Sequence, residues 1–133
     1  MTDAATVRAW LAAARTATLS TILDDARAPG SPFGTVVPYA LDAEGRPFVV
    51  ISELAVHTKN LRADPRASLV VSEPGTDDVQ AAWRVTLVGR MRVIDDPAPY
   101  LARLPQSLPG FAPWVLDVDA TRYIAGFGRM GWL

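Results

Sequence analysis

The chain has 133 residues, half of them hydrophobic and 20% charged, with 13 Lys and Arg against 14 Asp and Glu. This length suits a single domain, 1–133, and the net charge of −1 leaves no basic excess to hold nucleic acid or an acidic membrane. With no cysteine, one histidine (His57) and one lysine (Lys59), the chain offers no disulfide, thiolate nucleophile, iron–sulfur cluster or histidine-rich metal site.

An N-terminal helix is expected over about residues 3–15. Val7, Trp10, Leu11 and Ala14 recur at i, i+3, i+4 and i+7, and Thr2 or Asp3 can cap the start. Asp3 stands where a secretory signal would carry positive charge, and Arg8 and Arg15 break the apolar stretch. No run approaches the ~20 apolar residues of a membrane span, so the expectation is a cytoplasmic protein. Residues 16–23, rich in Thr, Leu and Ile, suit a strand, and 24–32 form a polar loop marked by Pro and Gly. Residues 33–41 read as a second strand in which Pro38 requires a bulge or an unpaired position. A tight turn at 42–45 returns the chain antiparallel through 47–52.

A short helix is expected over 54–64, stopped by Pro65, which disfavours a helical residue before it. Strands follow at 67–72 and 82–94, the second interrupted only by Gly89, with a polar loop at 73–79 between them. Asp95, Asp96 and Pro97 start another short helix carrying Tyr100, Leu101 and Leu104. Residues 105–113 read as irregular and 114–125 as strand. About six sequential, mostly hairpin-linked strands with short helices make a mainly β chain, an antiparallel barrel with helices at its ends.

The segment from Ser52 to Leu61 is the most informative chemically. It lies where a strand gives way to a helix, whose first N–H groups and partial positive charge favour an anion. Ser52, Thr58 and Asn60 add neutral donors and Lys59 a charge, while His57 and Thr58 share an expected inward stripe with Leu54 and Leu61. A phosphate would suit it; an ordinary helix start with a satisfied histidine would also explain the pattern. Near the C-terminus, Gly126-Phe127-Gly128-Arg129-Met130-Gly131 has the spacing of a dinucleotide fingerprint but lacks the helix and acid that must follow. What remains is a tail able to close over a flat ligand, meet a second subunit or pack on its own barrel. In the long strand, Arg84, Thr86, Val88, Arg90 and Arg92 alternate with Val85, Leu87, Gly89, Met91 and Val93. Arg90 and Arg92 suit a solvated face, whereas Arg84 and Thr86 are ligand candidates. There is no G-x-S-x-G elbow, and no acid sits in a clear paired arrangement for acid–base catalysis, so no catalytic residue is assigned.

Four stretches in order resemble the pyridoxamine-phosphate-oxidase-like, FMN-binding split-barrel family, and within it the haem-utilisation (HugZ-like) branch. They are Pro32-Phe33-Gly34-Thr35-Val36-Val37-Pro38-Tyr39-Ala40; Ser52 to Leu61 with the following Ala63-Asp64-Pro65-Arg66-Ala67-Ser68-Leu69; Arg84 to Arg90; and Gly126-Phe127-Gly128-Arg129. The resemblance implies a six-stranded antiparallel split β-barrel over about 16–133. It further implies a homodimer that holds FMN at the subunit interface and acts on a small-molecule substrate as an oxidoreductase. It places the flavin phosphate near His57, Thr58, Lys59 and Asn60, and the ring along Val36, Val37 and Pro38. Ser52 matches a hydroxyl position, Arg84 and Thr86 a strand that approaches from the partner subunit, and Arg129 the C-terminal motif. Haem or a deazaflavin in the same cleft, or a non-catalytic carrier module, are the alternatives. The arginine and lysine that true oxidases carry on the second strand fall at Gly34 and Tyr39, and their C-terminal arginine-containing motif is missing, which argues against vitamin B6 oxidation. HugZ-like proteins usually continue into a second domain that supplies haem contacts; with Leu133 as the last residue, haem degradation is not the expectation.

Overall fold

In the computed structural model, which describes residues 2–106 and 108–133, the apolar stripe of the first segment forms helix α1 (Ala4–Ala13). The Asp3 carboxylate accepts the Thr6 N–H at 2.8 Å and so caps it. Val7 and Leu11 are buried, and Trp10 stacks on Trp83 with ring centroids 5.3 Å apart. The strands are β1 (Thr16–Ile22), β2 (Pro32–Pro38), β3 (Ala40–Leu41), β4 (Pro47–Ser52), β5 (Arg66–Ser72), β6 (Arg84–Val93), β7 (Phe111–Gly126) and β8 (Arg129–Trp132). Helix α2 (Val56–Ala63) lies between β4 and β5, and α3 (Ala98–Arg103) between β6 and β7.

All strand pairs are antiparallel, in the order β2-β1-β5-β6-β7-β4-β3, and β8 pairs with β7. The molecule is thus mainly β with short helices, a curled antiparallel sheet with the split-barrel form. Its closure depends on Pro38. This residue pairs with Thr16 at the end of β2; one residue later the chain crosses over, and Ala40 pairs with Phe48 of β4. The strand expected over 33–41 is therefore two strands. A residue without an N–H ends one ladder, and the next begins on the far edge of the sheet.

β7 holds the sheet together over 16 residues. One edge pairs with β6 from Trp114 to Ile124; the other is shared between β4, at Phe111 to Val115, and β8, at Arg122 to Gly126. The irregular segment expected to reach 113 gives way to strand at Phe111, and Pro113 is accommodated opposite Val50, its carbonyl accepting the Ile94 N–H at 3.0 Å. Eight strands stand where six were expected, because the second is split and the glycine-rich tail pairs as β8. At Val88/Gly89 the register with β7 shifts by a bulge, and a Cβ on Gly89 would run into the Asp117 carbonyl oxygen.

Two apolar clusters follow from the alternation. Leu19, Leu69, Val71, Val85, Leu87 and Leu116 fill the barrel interior, each such side chain contributing roughly 1.5–3 kcal/mol by burial. On the outer face, Phe48, Val50 and Val115 are covered by Tyr100, Leu101 and Leu104 around α3. Tyr100 stands edge-on to Phe48 and donates its hydroxyl to Asp42 at 3.2 Å. Helices α1 and α2 pack their buried Val7, Leu11 and Leu61 into the interior cluster, so among the described residues no helix packs on the rest of the outer face, across β2, β1, β5, β6 and β8. No helix among the described residues is long and apolar enough to cross a membrane.

Candidate functional site

The corner between β4 and α2 is built by internal hydrogen bonds. The Ser52 side-chain oxygen accepts the Leu54 N–H at 3.2 Å, and its carbonyl accepts the Thr58 hydroxyl at 2.6 Å. Asn60 donates its amide to the Thr21 hydroxyl at 3.0 Å and accepts the Asp24 N–H at 2.9 Å. Thr58 and Asn60 are fully buried, so their side-chain polar atoms tie α2 to β4, β1 and the following loop. Leu54 lies in the turn before the helix and is 96% exposed. The expected stripe pairing it with His57, Thr58 and Leu61 fails at that residue because the helix begins at Val56.

Ala55 caps α2 without a side-chain bond, and the first N–H bonded back to it is that of Lys59. The first-turn N–H groups are therefore available to an external acceptor. Lys59 is exposed, and no ion pair among the described residues involves it. His57 is half-buried. Its Nδ1 lies 3.1 Å from the Thr35 hydroxyl oxygen, and its Nε2 is buried without a hydrogen-bond partner among the described residues. Burial lowers its pKa below the usual 6.5, so the ring is neutral at pH 7.

The Thr35–His57 contact joins the start of α2 to β2. That strand is hydrogen-bonded on one edge only, to β1, leaving backbone groups of its other edge open. Val36 (75% exposed) and Pro38 point outward, while Val37 is buried. At the Pro38 end lies a cleft of 560 Å³, in the range of organic-ligand pockets; Leu11, Arg15, Pro38, Tyr39, Arg103 and Leu104 are among its lining residues. Tyr39 donates its hydroxyl to the Leu11 carbonyl, and burial pushes its pKa up to about 12. It anchors α1.

Arg84, Thr86 and Arg129 are not brought to this corner. Arg84 and Thr86 sit half-buried on the outer face of β6, three strand spacings or roughly 14 Å from β2, and Arg84 donates to the Val79 carbonyl. Arg129 starts β8 beyond β7, donating to the Ala125 carbonyl at 3.1 Å. The glycine spacing there serves a hairpin: Gly126 and Gly128 take positive φ at the turn, and Gly131 lies against the Tyr123 ring. Residue-type reasoning passed over Thr35 as an individual. The signal was available, since a threonine alternating with Phe33 and Val37 on an inward face needs a polar partner.

A family model described as pyridoxamine 5'-phosphate oxidase matches residues 4–125. The chain belongs to this family. The non-canonical heme oxygenase HOZ, a chloroplastic protein of Arabidopsis thaliana, is 32% identical over 107 residues, covering 73% of this chain and 33% of that protein. A heme binding protein from Mycobacterium smegmatis superposes with a TM-score of 0.82 and 30% identity, over 100% of this chain and 59% of that one. HutZ, the heme storage protein of Vibrio cholerae, superposes with a TM-score of 0.69 over 90% of this chain and 92% of its own, and at 21% identity shows the shared fold alone. This family member thus spans about one third of the length of the curated relative it matches.

Proposed function

We propose that this chain is an FMN-binding flavoprotein, an oxidoreductase acting on a small molecule. The observation that carries this reading is the meeting of the open edge of β2 with the uncapped start of α2, joined through Thr35 and His57. Open backbone groups at Val36 to Pro38 suit the polar edge of a flat ring. The first-turn N–H groups of α2 and the Lys59 ammonium suit a phosphate. Ser52, Thr58 and Asn60 hold the corner in shape. Bound there, the flavin would supply electron transfer, the chemistry that no side chain of this chain provides. Arg15 and Arg103 in the neighbouring cleft, with no acid among its lining residues, favour an anionic substrate.

The uncovered outer face supports a homodimer. Val36, Thr18, Val70, Thr86, Arg122 and Trp132 form one row across six strands, and none is acidic. Val36 and Trp132, at its two ends, are 75% and 63% exposed. A twofold axis through such a row sets β2 of one subunit against β7 and β8 of the other. Arg84, Thr86 and Arg129 of the partner subunit would then approach the β2 edge. The test is an absorbance spectrum of the purified protein with its solution mass. Flavin absorbance from a particle of twice the chain mass is expected; saturating FMN that gives neither binding nor a thermal shift overturns the reading.

The likeness to HOZ and to the Mycobacterium smegmatis protein favours a second reading, a haem-binding module on the same barrel. Its mark is a haem Soret band that is lost on His57→Ala.

A further inference from the structure

Thr35 is the one polar side chain of β2, and its hydroxyl makes a single hydrogen bond among the described residues, to His57 Nδ1. Two proton arrangements fit a 3.1 Å contact with a neutral ring. If the hydroxyl donated to Nδ1, the ring proton would sit on Nε2, which is buried with nothing to accept it. Orphaned buried N–H groups are rare in folded proteins, bare acceptors less so. The other arrangement places the proton on Nδ1, which donates to the threonine oxygen and leaves Nε2 a bare acceptor. The hydroxyl proton of Thr35 is then free for an acceptor that the fold does not supply. Thr35 is half-buried where the open β2 edge meets the first turn of α2, whose N–H groups have no side-chain cap.

We propose that Thr35 is a further ligand-contacting residue of the cofactor site. His57 Nδ1–H fixes its oxygen, and its hydroxyl donates to an anionic oxygen, phosphate or carboxylate, of the molecule held along β2. The ligand half of this inference rests on the cofactor reading above; the ring tautomer does not.

Two measurements test it. Because the chain has one histidine, ¹⁵N NMR of the histidine-labelled, ligand-free protein reads the ring without assignment. Protonated Nδ1 and bare Nε2 are expected, kept in Thr35→Ser and lost in Thr35→Val; the opposite tautomer in the unsubstituted protein overturns the arrangement. In binding, Thr35→Val should weaken FMN about tenfold and riboflavin hardly at all, with Thr35→Ser restoring FMN. Equal losses for both ligands, or none, overturn the contact. If the unsubstituted protein binds no FMN, the flavin reading fails, and the same comparison between haem and haem dimethyl ester decides the role of the hydroxyl. A protein that binds neither cofactor overturns the contact along with the cofactor reading.

Discussion

Pro38 and Ala40 are two residues apart in the chain but lie on the two opposite edge strands of the sheet, Pro38 pairing with Thr16 of β1 and Ala40 with Phe48 of β4. The residue between them, Tyr39, donates its N–H to the Arg15 carbonyl at 3.1 Å and its buried hydroxyl to the Leu11 carbonyl. The residue at the crossover thus ties the seating of α1 to the barrel. Tyr39→Phe leaves a carbonyl without its partner and should cost about 1–2 kcal/mol in urea unfolding. If α1 loosens with it, the near-ultraviolet dichroism of the Trp10–Trp83 stack should weaken as well.

The bulge gives a second prediction. Gly89 lies against the Asp117 backbone, so Gly89→Ala forces β6 and β7 apart where neither can yield cheaply. A loss of about 3 kcal/mol is expected by chemical denaturation. A loss below about 0.5 kcal/mol would show that the bulge relaxes freely.

Asn60 tests whether the corner is held from inside. It spends its amide on Thr21 and its carbonyl oxygen on Asp24, with no exposed surface. Asn60→Ala should destabilise by about 2–4 kcal/mol, since the Asp24 N–H and the Thr21 hydroxyl lose their partner together. Hydrogen exchange should quicken in α2 and in the loop after β1 before it does in β6.

How much of this was legible follows a physical divide. Alternation along β6, the α1 stripe and the return through Pro47 to Ser52 are local patterns, and the structure follows them. Pro38 was legible as an anomaly, but its consequence depends on which strand lies across the barrel, and no local pattern records that. Packing of the tail on its own barrel was one of the readings left open, but its strand form was not legible for the same reason: Arg129 to Trp132 become a strand only because β7 is long enough to leave its second edge free beyond β4. Leu54 went wrong at close range, because the Ser52 side chain captures its N–H and delays the helix to Val56. His57 and Lys59 stood out by scarcity, whereas Thr35, one threonine among many, stood out only once its partner was in view.

His57 also sets a pH dependence. Burial lowers its pKa in the folded state below the unfolded value of 6.5, so the unfolded chain binds the proton more readily. Between the two values the unfolded state carries more protons, and stability rises with pH. This contribution is complete above about pH 6.5 and is lost as the pH falls towards the folded value. Denaturation midpoints of the wild type should fall on acidification through this window, and those of His57→Gln should fall less. Parallel profiles would mean that the carboxylates alone carry the acid sensitivity.

Lys59 separates the anion site from the fold. It is the only lysine, it is exposed, and it projects from the first turn of an uncapped helix. An ammonium there adds a charge-assisted donor to a bound phosphate and nothing to the core. Lys59→Ala should therefore leave the melting temperature of the ligand-free protein unchanged. FMN affinity should fall about tenfold, by more at low ionic strength than at high, while riboflavin affinity holds. Lys59→Arg should retain most of the FMN affinity, because the charge survives. If riboflavin weakens as much as FMN in Lys59→Ala, the side chain contacts the ring portion and the phosphate lies elsewhere. If neither changes, the first turn of α2 holds the anion through its backbone alone.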